Sequence, residues 1–271
     1  MIESVSSPNN PIIKMAASLK QKKKRDELGL FSAEGLRLVE EAAESDWKNH
    51  ILIITDQLSK TPRAQDIIVK LGSEGCRILE VPMKIYERIS DTDQPQGIML
   101  LLEKHINNLS GFFCKETPLI AILDCVQDPG NVGTLIRTAD AVGCSAVIMT
   151  TGCADLFSGK TIRSSMGSIF HLPVYTDVSF DEIIHFTRTR NIKLVSTSLE
   201  SSELFCKANF THSTAIVFGN EGNGVSRELL AFSDSRLHIP IVGRAESLNV
   251  AAAAAVILYE AVRQRGQLSC N

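Results

Sequence analysis

Short apolar runs in the second half of the chain constrain the fold most, because a loop and then a helical pattern follow most of them. The clearest runs are 119–123, 146–150, 193–197 and 214–218. Repeated strand–loop–helix units are typical of a parallel sheet covered by helices on both faces. Ligands bind to such sheets beyond the carboxyl ends of the strands. The sequence therefore predicts an α/β fold with its functional loops at those ends.

The first hundred residues also alternate between helix and strand, and they predict a separate, smaller α/β domain. Residues 34–43 have the periodicity of an amphipathic helix, and strands are expected near 51–55, 77–81 and 97–102. Turn-forming residues then mark a linker. The predicted organisation is an N-terminal domain at 1–106, a linker at 107–117 and a second domain at 118–271.

Charge limits the kinds of partner that the chain can have. The net charge of -3 over 271 residues means that any contact with nucleic acid has to come from a local patch. The densest basic run is Lys20–Arg25. Such a run forms either a solvated helix face or a patch that gains affinity for phosphates through counterion release.

Cysteine and histidine spacing argues against a metal site. Seven cysteines are scattered without a Cys-x-x-Cys pair, and none of the six histidines forms a ligand pair. Free thiols favour a reducing compartment. The N-terminal residues lack the features of a signal peptide, and the longest apolar run, 250–259, is about half of a membrane span. We expect a soluble, cytoplasmic protein without metal.

Three glycine-containing loops follow predicted strands, at 127–133, 219–226 and 239–249. The glycine order in the second loop is wrong for a dinucleotide fingerprint, no nucleoside-triphosphate loop exists, and Ser247 lacks the context of a nucleophile elbow. Taken alone, each polar residue in these segments is more often a cap or a turn former. Together they suit recognition of ribose and phosphate, and the set comprises Asn131, Arg137, Glu221, Ser247 and Asn249.

The third loop connects a predicted strand to a helix. A short apolar strand is expected to meet Pro240, within residues 236–241, and Ser247 or Asn249 is expected to cap the helix that follows. That helix opens with alanines at 251–255, which add no bulk and allow close approach by another segment. The simplest alternative is an ordinary buried strand–loop–helix.

With these loops in place, the sequence resembles the SpoU/TrmH family of RNA ribose 2′-O-methyltransferases. Residues 123–140 resemble the first family motif, 218–226 the second and 239–260 the third. Residues 160–174 are also similar to the family. The N-terminal unit, with Glu34-Gly35-Leu36-Arg37, is similar to the substrate-binding domain attached to many members.

The resemblance implies a C-terminal SPOUT domain with a parallel sheet and a trefoil knot, plus a small N-terminal α/β RNA-binding domain. It also implies S-adenosylmethionine bound in the knot, and a homodimer through the SPOUT domain whose active site draws on both subunits. The implied cofactor-binding residues are Thr197, Phe218, Gly219, Ile239 and Leu248. The implied catalytic or RNA-positioning residues are Asn131, Arg137, Glu221, Ser247 and Asn249. The candidate RNA-binding residues are Lys22, Lys23, Lys24, Arg25, Arg37, Lys160 and Arg163.

The expected reaction is therefore transfer of a methyl group to a ribose 2′-hydroxyl in RNA. A guanidinium stays protonated in proteins, so Arg137 is expected to bind the adjacent phosphate or to stabilise the developing alkoxide. Ribosomal RNA, at a 23S-type guanosine or uridine, is favoured over transfer RNA because of the extra N-terminal domain. The alternatives are a non-catalytic RNA-binding protein and, disfavoured by the glycine order, a nucleotide-dependent metabolic enzyme.

Overall fold

The computed structural model describes residues 2–114, 117–199, 201 and 203–266. The chain divides into two units, of which the first comprises residues up to His105 together with Phe157–Phe170, and the second comprises the remainder. The predicted organisation placed 157–170 in the second domain, and the predicted domain limits stay a prediction. Six described cysteines are free, whereas Cys270 lies outside the described residues.

The first unit is a five-stranded mixed sheet in the order β1-β4-β3-β5-β2. Strands β1, β4 and β3 are parallel, and β5 runs antiparallel to both β3 and β2. The predicted strands are present, and the structure also contains β1, α1 and β2, which the sequence did not reveal. The basic run lies partly on a helix, which is one of the two alternatives given for it. Its elements are β1 (Ile2–Ser4), α1 (Pro11–Ser18), α2 (Lys22–Leu28), β2 (Leu30–Glu34), α3 (Leu36–Glu44), β3 (Asn49–Thr55), α4 (Pro62–Ser73), β4 (Arg77–Val81), α5 (Met83–Ile89) and β5 (Ile98–Glu103).

The second unit is a six-stranded sheet in the order β11-β9-β10-β6-β7-β8, and every neighbouring pair is parallel. This confirms the predicted parallel sheet. The remaining elements of the chain are β6 (Leu119–Leu123), α6 (Pro129–Ala141), β7 (Ala146–Thr150), α7 (Gly159–Ser165), β8 (Val174–Val178), α8 (Phe180–Thr189), β9 (Lys193–Thr197), β10 (Thr214–Phe218), α9 (Arg227–Phe232), β11 (Ser235–Leu237) and α10 (Val250–Gln264).

Helices pack on this second sheet in two pairs. Ile120 and Ile122 of β6 belong to one buried cluster with Phe186 of α8 and Leu229 of α9. Helix α6 contacts β6, β7 and α10. Side chains alternate between the two faces of a sheet along a strand, so residues 119, 121 and 123 face away from Ile120 and Ile122. Each helix pair therefore buries a different set of strand side chains.

Helix α7 belongs to the first unit, although it lies between two strands of the second unit in the sequence. The Phe157 ring lies 5.0 Å from Phe31 and 6.3 Å from Trp47. Phe170 lies 5.5 Å from Trp47 in an edge-to-face contact. Aromatic packing therefore anchors both ends of the 157–170 segment in the first unit.

Strand register brings the loops of the second unit together. Phe218 at the end of β10 pairs with Leu123 at the end of β6, and Leu237 at the end of β11 pairs with Thr197 of β9. Because all these strands are parallel, the loops that follow β6, β10 and β11 leave the sheet at the same edge, where the carboxyl ends of the strands lie. Within the described part of the chain, no helix is long and apolar enough to cross a membrane.

The strand expected to meet Pro240 is β11, at Ser235–Leu237, and it ends before Pro240. Residues 239–241 have no regular structure. Pro240 lacks a main-chain donor for a sheet, and Val242 is 97% exposed. The apolar residues of this stretch therefore lie in the loop between β11 and α10.

Candidate active site

A chain of side-chain hydrogen bonds joins the three predicted loops. Asn249 Nδ2 donates to Asn131 Oδ1 at 3.0 Å, and Asn131 Nδ2 donates to Glu221 Oε1 at 2.9 Å. The main-chain N–H groups of Gln127 and Asp128 each donate to the Glu221 carboxylate at 3.2 Å. We call Asn249, Asn131 and Glu221 the amide–carboxylate relay. It links one residue from each loop into a single cluster.

Asn249 also starts α10. Its Oδ1 accepts from the N–H groups of Ala251 and Ala252 at 2.9 and 3.3 Å, so Asn249, not Ser247, is the N-cap. Ala251 and Ala254 are buried in this helix, which packs against α6. Both ends of the Asn249 amide are therefore engaged, one by its helix and one by Asn131.

Glu221 is held in its charged form. Desolvation acts to raise the pKa of this carboxyl, but the hydrogen bonds from Asn131 and from main-chain N–H groups outweigh it and lower the pKa below the ordinary value. A carboxylate that accepts several hydrogen bonds at neutral pH is a good anchor for a loop and a weak base. The relay therefore positions its loops through a permanent charge.

Asp124 shapes the same loops but had no role assigned from sequence. It is buried, its Oδ2 accepts from the Ser226 N–H at 2.7 Å, and its Oδ1 accepts from Thr150 Oγ1 at 3.3 Å. The sequence signal was an acidic residue directly after an apolar strand, which suggests a buried and hydrogen-bonded carboxylate.

Asn220 is a second residue that was missed. Its Nδ2 donates to the Cys125 carbonyl at 2.8 Å, and its Oδ1 accepts from the N–H groups of Gly222 and Asn223 at 2.9 and 3.0 Å. An asparagine within a glycine run often folds a turn in this way. Gly219 is required beside it, since a Cβ there would lie 2.1 Å from the main-chain carbon of Gly224.

A cavity of about 940 Å³ lies against these loops in the second unit. Its lining combines apolar side chains, such as Leu237 and Ile257, with polar side chains that include Glu246 and Asn249. This size and mixture are typical of a small-molecule site. The structure places all five predicted cofactor-binding residues in the lining, namely Thr197, Phe218, Gly219, Ile239 and Leu248.

The predicted catalytic residues do not all reach the cavity. Glu221, Ser247 and Asn249 line it, and Asn131 is tied to it through the relay. Arg137 is not in the lining. It is exposed on α6, six residues beyond Asn131, and makes no hydrogen bond or ion pair with any residue that the structure describes.

The seven predicted RNA-binding residues all lie in the first unit. Lys22 and Lys24 pair with Asp26 and Glu27 of their own helix, at 3.1 and 2.6 Å. The four other exposed or half-exposed cations are Lys23, Arg37, Lys160 and Arg163.

Arg25 does not face solvent as the RNA-binding prediction requires. Its side chain is buried, and Nη1 donates to the carbonyls of Leu19 and Lys20 at 2.6 and 2.9 Å. It therefore stabilises the end of α1, and we remove it from the candidate RNA surface.

No group of three or more His, Cys, Asp or Glu side chains in the described ranges could hold a metal ion. Among the described cysteines, burial raises the pKa of Cys144 and Cys153 to about 12. These thiols are protonated at neutral pH and are poor nucleophiles.

Comparisons with known proteins agree with the motifs. Residues 118–259 match the model of the SpoU rRNA Methylase family, and 10–100 match that of the MRM3-like substrate binding domain. The chain is 33% identical to a 23S rRNA (guanosine(2553)-2′-O)-methyltransferase of Bacillus subtilis (strain 168), over 95% of this chain and 98% of that protein.

Solved structures show the same similarity. An AdoMet-bound rRNA methyltransferase from Sinorhizobium meliloti superposes with a TM-score of 0.90 at 35% identity, covering 99% of both chains. The SpoU methyltransferase AviRb from Streptomyces viridochromogenes, in complex with AdoMet, gives 0.85 at 30% identity, covering 95% of this chain and 98% of that one. With more than half of its residues matched by the family model, the chain belongs to the SpoU rRNA methylase family.

Proposed function

We propose that the protein is an S-adenosylmethionine-dependent methyltransferase that modifies a ribose 2′-hydroxyl in ribosomal RNA. The observation that carries the proposal is the amide–carboxylate relay, which joins the three family motifs beside the cavity. The AdoMet-bound relatives and the 23S rRNA enzyme of B. subtilis support the cofactor and the substrate class.

The residues around the cavity fit this cofactor. The cavity volume suits a molecule of nucleoside-plus-amino-acid size, and its lining offers Leu237, Ile239 and Leu248 for an apolar base. Gly219 lets the loop beside the cavity fold back on itself, because any side chain there would collide with the main chain of Gly224 and Val225. When bound, S-adenosylmethionine supplies an electrophilic methyl group.

The residues of this chain would then position the acceptor and neutralise charge. We assign Arg137 to the phosphate beside the target ribose, or to the alkoxide that develops at the 2′-oxygen, since its planar guanidinium can make two parallel hydrogen bonds. Asn131 and Glu221 are positioning residues in this scheme. Asn249 holds the loop, and Ser247 lies exposed at the cavity, where it can contact the ribose.

The place of Arg137 supports a homodimeric enzyme. It does not line the cavity of its own chain and has no partner among the described residues. We propose that Arg137 completes the site of a second subunit, with the dimer formed through the SPOUT domain. The exposed Val256 and Tyr259 of α10, at 39% and 47%, are available for that interface. Size-exclusion chromatography with light scattering tests the dimer.

Chain path and composition support the remaining assignments. Strand β10 lies between β9 and β6, the chain then crosses to β11 beyond β9, and it returns to pack α10 on α6. We propose that this return forms the trefoil knot. The free cysteines that the structure describes support a reducing, cytoplasmic location. Lys22, Lys23, Lys24, Arg37, Lys160 and Arg163 stay as RNA-binding candidates of the first unit.

Methyl transfer from labelled S-adenosylmethionine to total ribosomal RNA tests the function directly. Wild-type protein should label the RNA, and loss of one 2′-O-methyl position in a deletion strain should identify the nucleotide. Arg137→Ala should abolish transfer and leave cofactor affinity nearly unchanged, and Arg137→Lys should stay strongly impaired if the planar fork is needed. If the protein binds RNA but transfers no methyl group to any of the RNAs tested, a non-catalytic RNA-binding protein would be favoured.

A further inference from the structure

Two arginines at the end of α8 are stacked on aromatic rings. The Arg188 guanidinium lies 5.3 Å from the centre of the Phe232 ring. The Arg190 guanidinium lies 5.4 Å from Phe112 and 5.3 Å from Phe186. Both arginines are exposed, so the rings fix the direction of the charges without removing them from solvent. Preorganised guanidinium groups lose little entropy when they bind an anion.

These arginines differ from the cations of the first unit, where acidic partners are common. Arg63 pairs with Glu40, and Arg77 pairs with Glu3 at 2.6 Å. Arg188 and Arg190 have no acidic partner among the residues that the structure describes. A cation that is already paired gains less from a phosphate, because it must give up its own carboxylate. Arg188 and Arg190 are therefore exposed cations whose charge is not already paired with a carboxylate of the described residues.

Helix α9 connects the stacked arginines to the cavity. Arg227 begins α9 and lines the cavity. Arg236 donates to the Leu230 carbonyl of the same helix through Nε and Nη2, at 3.2 and 2.9 Å. Phe232, on whose ring the Arg188 guanidinium stacks, is the last residue of α9. Arg227 therefore lies on α9 at the cavity, and Arg236 and Arg188 are held against the same helix.

We propose that Arg188, Arg190 and Arg236, which we call the arginine track, bind the sugar–phosphate backbone of the RNA substrate. The proposal rests on the proposed function. Guanidinium groups match phosphates in geometry as well as in charge. An exposed aromatic ring lies in the track for an unpaired base, since Phe232 is 46% exposed, and Phe113, which follows the Phe112 that contacts Arg190, is 77% exposed. Arginines interleaved with aromatic rings match RNA better than an acidic peptide, which has no bases to stack.

A charge-reversal pair tests the arginine track. Arg188→Glu/Arg190→Glu should weaken the binding of labelled total ribosomal RNA at least tenfold in filter-binding measurements. The slope of log affinity against log salt should become shallower by about 1.4, for two lost phosphate contacts at about 0.7 each. The matched control is Arg63→Glu/Arg77→Glu, which makes the same change in net charge at paired arginines. An equal loss in the control, or an unchanged slope in the α8 variant, would overturn the proposal.

Further variants separate the effect of charge from an effect on folding. Arg190 packs on buried rings, so the double variant could lower the melting temperature. In that case Arg188→Gln alone is the variant to use, and it should produce about half of the change in salt slope expected for the double variant. Arg188→Lys/Arg190→Lys should keep most of the salt slope, because the charges remain. If instead Arg188→Glu/Arg190→Glu loses binding to poly-glutamate and retains RNA binding, the track is a protein contact and the proposal is wrong.

The same proteins distinguish this proposal from the proposed function. Wild-type protein that binds RNA through the track but transfers no methyl group refutes the enzyme and leaves the track. Wild-type protein that methylates RNA, with Arg188→Glu/Arg190→Glu unchanged in affinity and salt slope, refutes the track and leaves the enzyme. Cofactor affinity, measured by calorimetry, should be the same in both proteins.

Discussion

Asn131→Asp probes the amide–carboxylate relay most directly, because it changes one group and almost no volume. It removes the donor that binds Glu221 at 2.9 Å and puts a second carboxylate there. Two unit charges about 4 Å apart repel by about 1 kcal/mol in water and about 4 kcal/mol at the effective dielectric of a protein surface. Glu221 is exposed and Asn131 half-buried, so we expect the lower part of this range, about 1–2 kcal/mol. The corresponding fall in Tm is about 2–8 °C.

The destabilisation caused by Asn131→Asp should depend on pH in the opposite direction to the contribution of Glu221 in the wild-type protein. The pKa of Glu221 is lowered, so its contribution to stability is present above the unfolded-state pKa and is lost only as pH falls through the folded-state value. In the variant, the two carboxylates share a site, which raises the pKa of one of them. The destabilisation is therefore full above that raised pKa and is relieved as pH falls through it, when one proton bridges the pair.

The assay compares Tm and cofactor affinity at about pH 8 and about pH 4.5, because a repulsion of this size moves a carboxyl pKa only a little above its ordinary range. Asn131→Ala is the control, and it should lose the same amount at both pH values. Asn131→Asp/Glu221→Gln keeps the net charge and removes the repulsion, so it should recover part of the loss. Recovery is incomplete because both oxygens of Glu221 accept main-chain N–H groups, from Gln127 and Asp128, and a glutamine has only one oxygen to accept them. If the double variant is no better than Asn131→Asp, and pH has no effect, the relay does not hold the loops as the structure indicates.

Three further predictions concern single positions. Gly219→Ala should abolish cofactor binding in calorimetry, because a Cβ there would lie 2.1 Å from the main chain of Gly224, and normal affinity would show that the turn can open freely. Cys125→Gly should raise the free energy of unfolding by about 0.5–1 kcal/mol in thermal melts, since Cys125 has a φ of 53° that glycine adopts without strain. Arg25→Met should destabilise the first unit by about 2 kcal/mol, because two carbonyls lose a charged donor. The RNA affinity should stay unchanged. Weaker RNA binding at an unchanged Tm would show that Arg25 contacts RNA after all.

The buried strands were the most predictable part of the fold. Runs such as Leu119–Leu123 and Thr214–Phe218 are apolar throughout, as strands covered on both faces must be, and their bounds in the structure match the sequence. Strand β1 was not found and β11 was placed too close to Pro240, because each has three residues and polar side chains. Their structure depends on pairing with β4 and β9, which local sequence does not encode.

The candidate site was predictable only to the level of its loops. The motif match identified residues that line the cavity, but the hydrogen bonds between Asn249, Asn131 and Glu221 span about a hundred residues of sequence and depend on the tertiary fold. Arg25 shows the same limit at short range. It belongs to a basic run, yet on α2 each residue turns by about 100°, so one member of the run faces the core while its neighbours face water.

The relay also limits the chemistry of the proposed reaction. Asn131 uses its amide oxygen for Asn249 and its nitrogen for Glu221, so neither asparagine has a basic atom to offer. The lowered pKa of Glu221 makes it a weak proton acceptor, and Arg137 is a cation with no base of its own. A reaction at this site therefore gains rate from positioning and from charge placed near the 2′-oxygen, and its proton leaves through water or the adjacent phosphate. In that scheme Asn131→Ala should lower kcat through misplacement of the loops, and the pH dependence of kcat should keep the wild-type shape, because no proton acceptor has been removed. A new inflection in the pH profile of Asn131→Ala would show that the relay takes part in proton transfer.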